Sequence, residues 1–331
     1  MTEKILNEKV LDKNMRNEAV LNKKILTVTM NPCIDKTMTV SGFMYGGLNR
    51  VKDIRTDAGG KGINVSKVLY HFGADQIACG LIAGKQGQEI ADYLDRVGIR
   101  HSFIQTEGEV RTNYKIVDSD TKVTTEINEP GFYVTEDVVE CCVNHIMKLL
   151  PDTEVMILAG SIPSGVSENI YKRLIEAARP YDVKVILDAD GNKLLLGLEA
   201  IPYAIKPNLF EFEQLLGTTL DSQDKIVEAA RKYIEKGIGL VVISMGADGA
   251  LFVDAQEAYR AIPFEIECKS TVGAGDSMVA AVAYGLQQGY DLETIARFAT
   301  AAGSVTASKE GTEVCMLEEV VQKASCVQII K

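Results

Sequence analysis

Ser270-Thr271-Val272-Gly273-Ala274-Gly275-Asp276-Ser277 leads into Met278-Val279-Ala280-Ala281-Val282-Ala283-Tyr284, an almost wholly apolar run. The first stretch sets small residues and a carboxylate where a helix begins. The second suits a helix buried on most of its faces. Backbone N–H groups at a helix start lack intrahelical partners and attract anions, and glycine lets a phosphate approach them closely. Asp276 then stands as a base beside a held phosphoryl group, an arrangement for phosphoryl transfer to a hydroxyl. In isolation, an Asp in a first turn is more often a simple cap. A dinucleotide-binding G-x-G-x-x-G needs glycine at the position of Met278, and no G-x-x-x-x-G-K-[ST] occurs anywhere.

A second glycine cluster, Gly59-Gly60-Lys61-Gly62-Ile63-Asn64, lies far upstream. After it Val65, Val68, Leu69 and Phe72 recur on one helical face until Gly73. Lys61 brings a positive charge to this helix entry, and Asn64 a hydrogen-bonding amide. A tight turn with a solvated lysine would look the same alone; paired with the octapeptide, the cluster reads as the other half of a bipartite site.

Between the two, short aliphatic runs alternate with helical patterns. Ile25–Met30, Ile77–Ala83, Val155–Ala159, Val183–Leu187, Ala204–Ile205 and Leu240–Ser244 read as strands. Gly87–Val97, Glu136–Leu150, Glu168–Ala178 and Gln223–Lys236 read as helices. The alternation predicts an α/β fold, a doubly wound and mainly parallel sheet flanked by helices. Thr37–Thr56 and His101–Asn128, with Thr112–Val117 and Lys122–Ile127 inside the latter, break the pattern and predict a small antiparallel β lid drawn from about 37–57 and 100–129. Residues 1–24 are polar and free of glycine and read as an N-terminal extension with no chemistry, ahead of one domain over 25–331.

The chain has 331 residues, 46% hydrophobic and 24% charged, with a formal net charge of −11, so its balance argues against a nucleic-acid surface. No apolar run is long enough for a membrane span, and the N-terminus lacks the apolar core of a signal peptide. Seven scattered cysteines predict free thiols in a reducing cytoplasm, and His71, His101 and His145 show no metal-ligand spacing. A site for anions must therefore gather its cations locally.

Six segments occur in a recognisable order: Asn31-Pro32-Cys33-Ile34-Asp35, Gly59–Val65, Gly160–Val166, Lys206–Glu211, Ser244–Ala250 and Ser270–Ser277. Through them the chain resembles the ribokinase-like sugar kinases of the phosphofructokinase-B family, most closely the bacterial 1-phosphofructokinases. The resemblance implies ATP- and Mg²⁺-dependent phosphorylation of D-fructose 1-phosphate to D-fructose 1,6-bisphosphate. Tagatose-6-phosphate kinase and 6-phosphofructokinase are the alternatives inside the family, and a non-catalytic nucleotide- or sugar-phosphate-binding regulator the alternative outside it. Asp276 is then the base, with Gly273, Ala274, Gly275 and Asp276 forming the anion hole. Asp35, Gly59, Gly60, Lys61, Asn64 and Ser161 are expected to bind the sugar, and Arg111, opening a lid strand, its phosphate. Asn208, Ser244, Gly246, Ala247, Gly249 and Gly275 are expected on the nucleotide. Asn208 and Glu211, the latter through water, are expected near the metal. A monovalent cation and a homodimer through the lid also fit the family pattern. Two departures are visible. Ala159-Gly160-Ser161 replaces the usual Ser-Gly-Ser and weakens the case for Ser161, and Asp188-Ala189-Asp190-Gly191 replaces Asp-x-Ser-Gly and receives no role.

Overall fold

The computed structural model describes residues 23–331. The expected N-terminal extension therefore lies outside the described residues, apart from Lys23 and Lys24. The first strand, β1 (Lys24–Thr29), is buried from Ile25 onward because it is an interior strand of a ten-stranded sheet. Leu26 and Val28 enter one hydrophobic core and Ile25 the other, the period-two alternation of a strand covered on both faces. Parallel neighbours are β4 (Gln76–Ala83) on one side and β8 (Thr153–Ala159) on the other. Beyond β4 lies β5 (His101–Thr106). Beyond β8 follow β9 (Lys184–Asp188), β10 (Ala204–Ile205) and β11 (Leu240–Ser244), all parallel. Three antiparallel strands that the alternation did not predict complete the edge: β12 (Ala250–Val253), β13 (Ala258–Ile262) and β14 (Gln328–Ile330).

From β1 the chain winds outward through β4 and β5, then returns to β8 on the opposite side. The reversal opens a crevice at the carboxyl ends of β1 and β8, where open α/β sheets bind ligands. Asn31, just past β1, donates from Nδ2 to Ser161 Oγ at 3.2 Å, just past β8, and to the Pro130 carbonyl at 3.0 Å. One amide thus bolts both lips of the crevice to the segment leaving the lid.

The lid is a separate four-stranded sheet in the order β3 (Asp53–Gly59), β2 (Cys33–Val40), β6 (Arg111–Asp118), β7 (Thr124–Asn128). Its β2–β3 and β6–β7 pairs are antiparallel, and β2 joins β6 in parallel. Two expectations need correction. His101–Thr106 is not lid: it is the edge strand of the main sheet, and it looked polar because an edge strand is only half covered. Lys122 sits in a left-handed turn at φ 61°, so the last lid strand begins at Thr124.

Chain direction from lid to core is set at Gly60, whose φ of 111° admits little but glycine and turns β3 directly into the helix Lys61–His71. The helix presses on β1: a Cβ at Gly62 would stand 2.3 Å from Thr29 Oγ1 and 3.0 Å from the Val28 carbonyl oxygen. Gly62→Ala should therefore push this helix off β1 and destabilise the fold by about 1–3 kcal/mol, the usual penalty of overpacking. Thermal unfolding of the variant measures it, and an unchanged melting temperature would show that the helix can shift freely.

Candidate active site

The helix Ala274–Gln288 starts at Gly273, which caps it at φ 76°, and its residues from Asp276 to Leu286 are buried. The backbone N–H groups of Gly273, Gly275 and Asp276 find no backbone acceptor among the described residues, whereas that of Ala274 closes a turn onto Thr271. Three donors and the positive end of a helix dipole are left for an anion.

Asp276 is buried, and Asn64 Nδ2 donates to its Oδ2 at 2.8 Å. That bond joins the two glycine motifs across 212 residues of chain. Burial pushes the Asp276 carboxyl above the usual carboxylate range and the neighbouring Asp188 pushes it further, while Lys61, Asn64 and Lys206 restrain the rise. Asp188, at the end of β9, is only 2% exposed. Burial acts to raise its carboxyl too, but Lys206 and Lys61 outweigh it and hold the group below its ordinary range. Lys61 Nζ lies 3.2 Å and Lys206 Nζ 3.5 Å from Asp188 Oδ1. Lys61, expected to meet substrate charge, is thus tied first to Asp188, whose field raises its ammonium above the lysine norm despite desolvation.

A cavity of about 250 Å³ opens at the crevice, lined by Thr29, Asn31, Lys61, Arg111, Ser161 and Asp190 among others. Arg111 donates from Nη1 to the Glu129 carbonyl (3.2 Å) and from Nη2 to the Asn31 carbonyl (3.4 Å). Its Nε is buried without a partner, and no described carboxylate lies within ion-pair distance. Asp35 is buried in the lid, where Lys115 Nζ approaches its Oδ2 at 3.3 Å and Asn113 Nδ2 its Oδ1 at 3.4 Å. Gly59 is required by this carboxylate, since a Cβ there would stand 2.6 Å from Asp35 Oδ2. Beside it, burial and Asp35 push the Cys33 thiol up to about 12, so it stays protonated.

A second, wider groove of about 550 Å³ is lined by Asn208, Phe210, Ser244, Gly246, Asp248 and Arg260 among others. Ala247 and Gly249 do not line it. Gly249 serves the fold, for its φ is 87° and a Cβ would lie 2.0 Å from the Ala261 carbonyl oxygen. Asn208 and Glu211 form a reciprocal cap on the helix Leu209–Leu216: Glu211 N donates to Asn208 Oδ1 at 2.8 Å, and Asn208 N to Glu211 Oε2 at 2.9 Å. No group of three His, Cys, Asp or Glu side chains able to hold a metal occurs among the described residues. The site thus assembles Asp276, Asn64, Lys61 and Gly275 in one place, with Arg111 and Ser161 on the adjoining cavity and Asn208, Ser244 and Gly246 on the groove. Sequence reasoning missed Asp188, Lys206 as a charge, Asp190, Lys115 and Asn113. The first two carried a signal, being charged residues at the carboxyl ends of apolar strands.

Residues 28–319 match the model of the pfkB family carbohydrate kinases. A 1-phosphofructokinase of Rhodobacter capsulatus is 38% identical over 279 residues, 84% of this chain and 88% of that one. A 1-phosphofructokinase of Vibrio cholerae is 35% identical over 292 residues, 88% of this chain and 92% of that one. The crystal structure of phosphofructokinase-2 from Escherichia coli in complex with potassium superposes with a TM-score of 0.86 at 27% identity, covering 92% of this chain and 99% of that chain.

The two buried carboxylates should respond to neutralisation in opposite directions. The raised carboxyl of Asp276 favours the fold only while protonated, so that support is lost as pH rises through its folded value. Asp276→Asn should therefore raise the melting temperature at neutral pH, by roughly 2–4 °C for each kcal/mol relieved, and the gain should vanish in acid. The depressed carboxyl of Asp188 stabilises above the unfolded value and loses this as pH falls through the folded one. Asp188→Asn strands two lysines and should cost about 3–5 kcal/mol at neutral pH. Calorimetry of both variants across pH tests the pair, and shifts of the same sign would refute it.

Proposed function

The chain belongs to the pfkB family of carbohydrate kinases, and we propose that it transfers the γ-phosphoryl group of ATP to the 6-hydroxyl of D-fructose 1-phosphate, giving D-fructose 1,6-bisphosphate and ADP. The observation that carries this reading is Arg111. Among the described residues its guanidinium is held at the cavity only by carbonyls, which orient it without neutralising it. A planar, unpaired cation on a small polar cavity suits a phosphate dianion better than an uncharged sugar.

Phosphoryl transfer asks the protein mainly to position reactants and to stabilise charge on the moving group. Asp276, its basicity raised by burial, takes the proton of the acceptor hydroxyl as the new P–O bond forms. The N–H groups of Gly275 and Asp276 receive the phosphoryl oxygens, with Lys206 Nζ 3.5 Å from where a Cβ of Gly275 would stand. Asn64 keeps the Asp276 carboxylate aimed. Asp35 binds sugar hydroxyls from the lid. The nucleotide lies along the groove of Asn208, Ser244 and Gly246.

The metal fits here only as a partly hydrated ion. Glu211 gives Oε2 to the helix cap and has no hydrogen bond to Oε1 among the described residues, leaving one oxygen for a Mg²⁺-bound water. Bound with the nucleotide, Mg²⁺ would neutralise phosphate charge. A homodimer through the lid is consistent with the apolar side chains it exposes, Ile54, Val123 and Ile127 among them. A non-catalytic regulator would have no use for a buried carboxylate held at a cost to stability beside an open anion site.

Asp276→Asn should lower turnover by about 10²–10⁴ while sparing nucleotide binding. In the parent, kcat/KM should fall as pH drops through the raised value of Asp276, because only the ionised form accepts a proton. Turnover of the variant within about tenfold of the parent would place the base elsewhere.

Arg111→Ala should raise KM for fructose 1-phosphate roughly ten- to a hundredfold, the worth of a charge-assisted contact, without a matching change for ATP. Arg111→Lys should recover part of it. ADP release with fructose 1-phosphate, fructose 6-phosphate, tagatose 6-phosphate and ribose decides the acceptor. A preference for either rival hexose phosphate, or equal rises in both KM values, would overturn this assignment.

A further inference from the structure

We propose that Lys115 is a positioning residue for sugar recognition, an ammonium built into the lid to fix the Asp35 carboxylate as an acceptor; this rests on the reading of Asp35 as a sugar ligand. Lys115 is a lysine in an unusual place, 7% exposed on a strand of a small sheet. The parallel register of β2 and β6 pairs Asp35 with Asn113 and Thr37 with Lys115, so Lys115 reaches back diagonally by two residues to Asp35 Oδ2 at 3.3 Å. Asn113 Nδ2 holds Oδ1 at 3.4 Å, and Gly59 leaves room for the carboxylate on the β3 side. Every strand beside Asp35 thus contributes to its placement.

The surroundings show why a cation is needed there. Asp35 lies opposite Asp57 on β3, and Arg55 is committed to Asp57 at 2.8 Å. The other nearby ammonium, Lys67, is buried against the Ala58 carbonyl oxygen and lowered by desolvation, which Asp57 and Asp35 only partly offset. Lys115 is the cation that touches Asp35. A buried carboxylate in this setting without a partner would turn toward another donor or water, and would no longer present its oxygens in a fixed place to sugar hydroxyls. A hydrogen-bonded ammonium spends one donor on each acceptor, so the carboxylate lone pairs not met by Lys115 on Oδ2, or by Asn113 and the Cys33 thiol on Oδ1, stay available to a ligand.

The test is steady-state kinetics and melting temperature for Lys115→Met, Lys115→Arg, Asp35→Asn and the Asp35→Asn/Lys115→Met double variant. Lys115→Met should raise KM for fructose 1-phosphate about 10- to 100-fold, leaving KM for ATP unchanged. Lys115→Arg should regain much of the loss. In the Asp35→Asn background, Lys115→Met should add nothing, because the group it positions is gone. If Lys115→Met alone does not fold, the comparison of Asp35→Asn with the double variant decides, since neither leaves an unpaired Asp35 charge. Equal rises in both KM values, an unchanged sugar KM, or additive effects in the double variant would overturn the positioning role. An unchanged sugar KM in Asp35→Asn would instead overturn Asp35 as a sugar ligand, and the proposal with it.

Discussion

Two buried carboxylates with unequal partners govern this molecule. Asp188 and Asp276 each lose the solvation that ionisation requires, and the charge of Asp188 raises the Asp276 carboxyl further. Asp188 takes both lysines directly and stays ionised. Asp276 has one direct partner, the neutral amide of Asn64, and only a more distant share of the ammonium charge. Environments that drive two acids apart separate their parts: one is a fixed counter-ion, and the other is the base of the proposed reaction. The topology exists to bring them together. Asp188 ends β9, Lys206 follows β10, Lys61 and Asn64 enter from the lid side, and Asp276 opens the helix over the sheet.

The parts of this site visible in the sequence were those that use backbone geometry. Ser270–Ser277 and Gly59–Asn64 announce themselves because helix starts that admit an anion or a close strand require glycine at fixed places. The parallel strands were legible for a similar reason, since burial on both faces writes an unbroken aliphatic run. Illegible were features decided by what lies across space. His101–Thr106 carries polar residues because it is an edge, and nothing local distinguishes that from a lid strand. Lys115 and Asp35 are 80 positions apart, and only the β2–β6 register makes them neighbours.

The net charge of −11 is no obstacle to binding two phosphorylated ligands, because the cations are concentrated where they act. Lys61 and Arg111 line the cavity at the crevice, Lys206 stands with Lys61 on Asp188, and Lys115 sits in the lid on Asp35. They are held differently, however. Lys61 and Lys206 share the single carboxylate of Asp188, and Lys115 is paired with Asp35. Of these four, Arg111 is the one held by carbonyls, with no carboxylate in ion-pair distance among the described residues. The proposed reading assigns discrimination for a phosphate to this residue, while the ion pairs secure the shape around it.

The glycine motifs also show why structural and functional readings of a residue need not compete. Gly59 makes room for the Asp35 carboxylate and Gly62 for the Thr29 hydroxyl, while Gly60 supplies a backbone angle; none of the three is needed only by a ligand. Asn208 and Glu211 cap a helix whether or not nucleotide is present. Each of these constraints fixes a polar group before any substrate arrives. A transition state whose charge must be met without reorganisation draws its stabilisation from groups already immobile. In this chain the residues that complete the fold are the ones that make the site rigid, and the motif is the sequence trace of both.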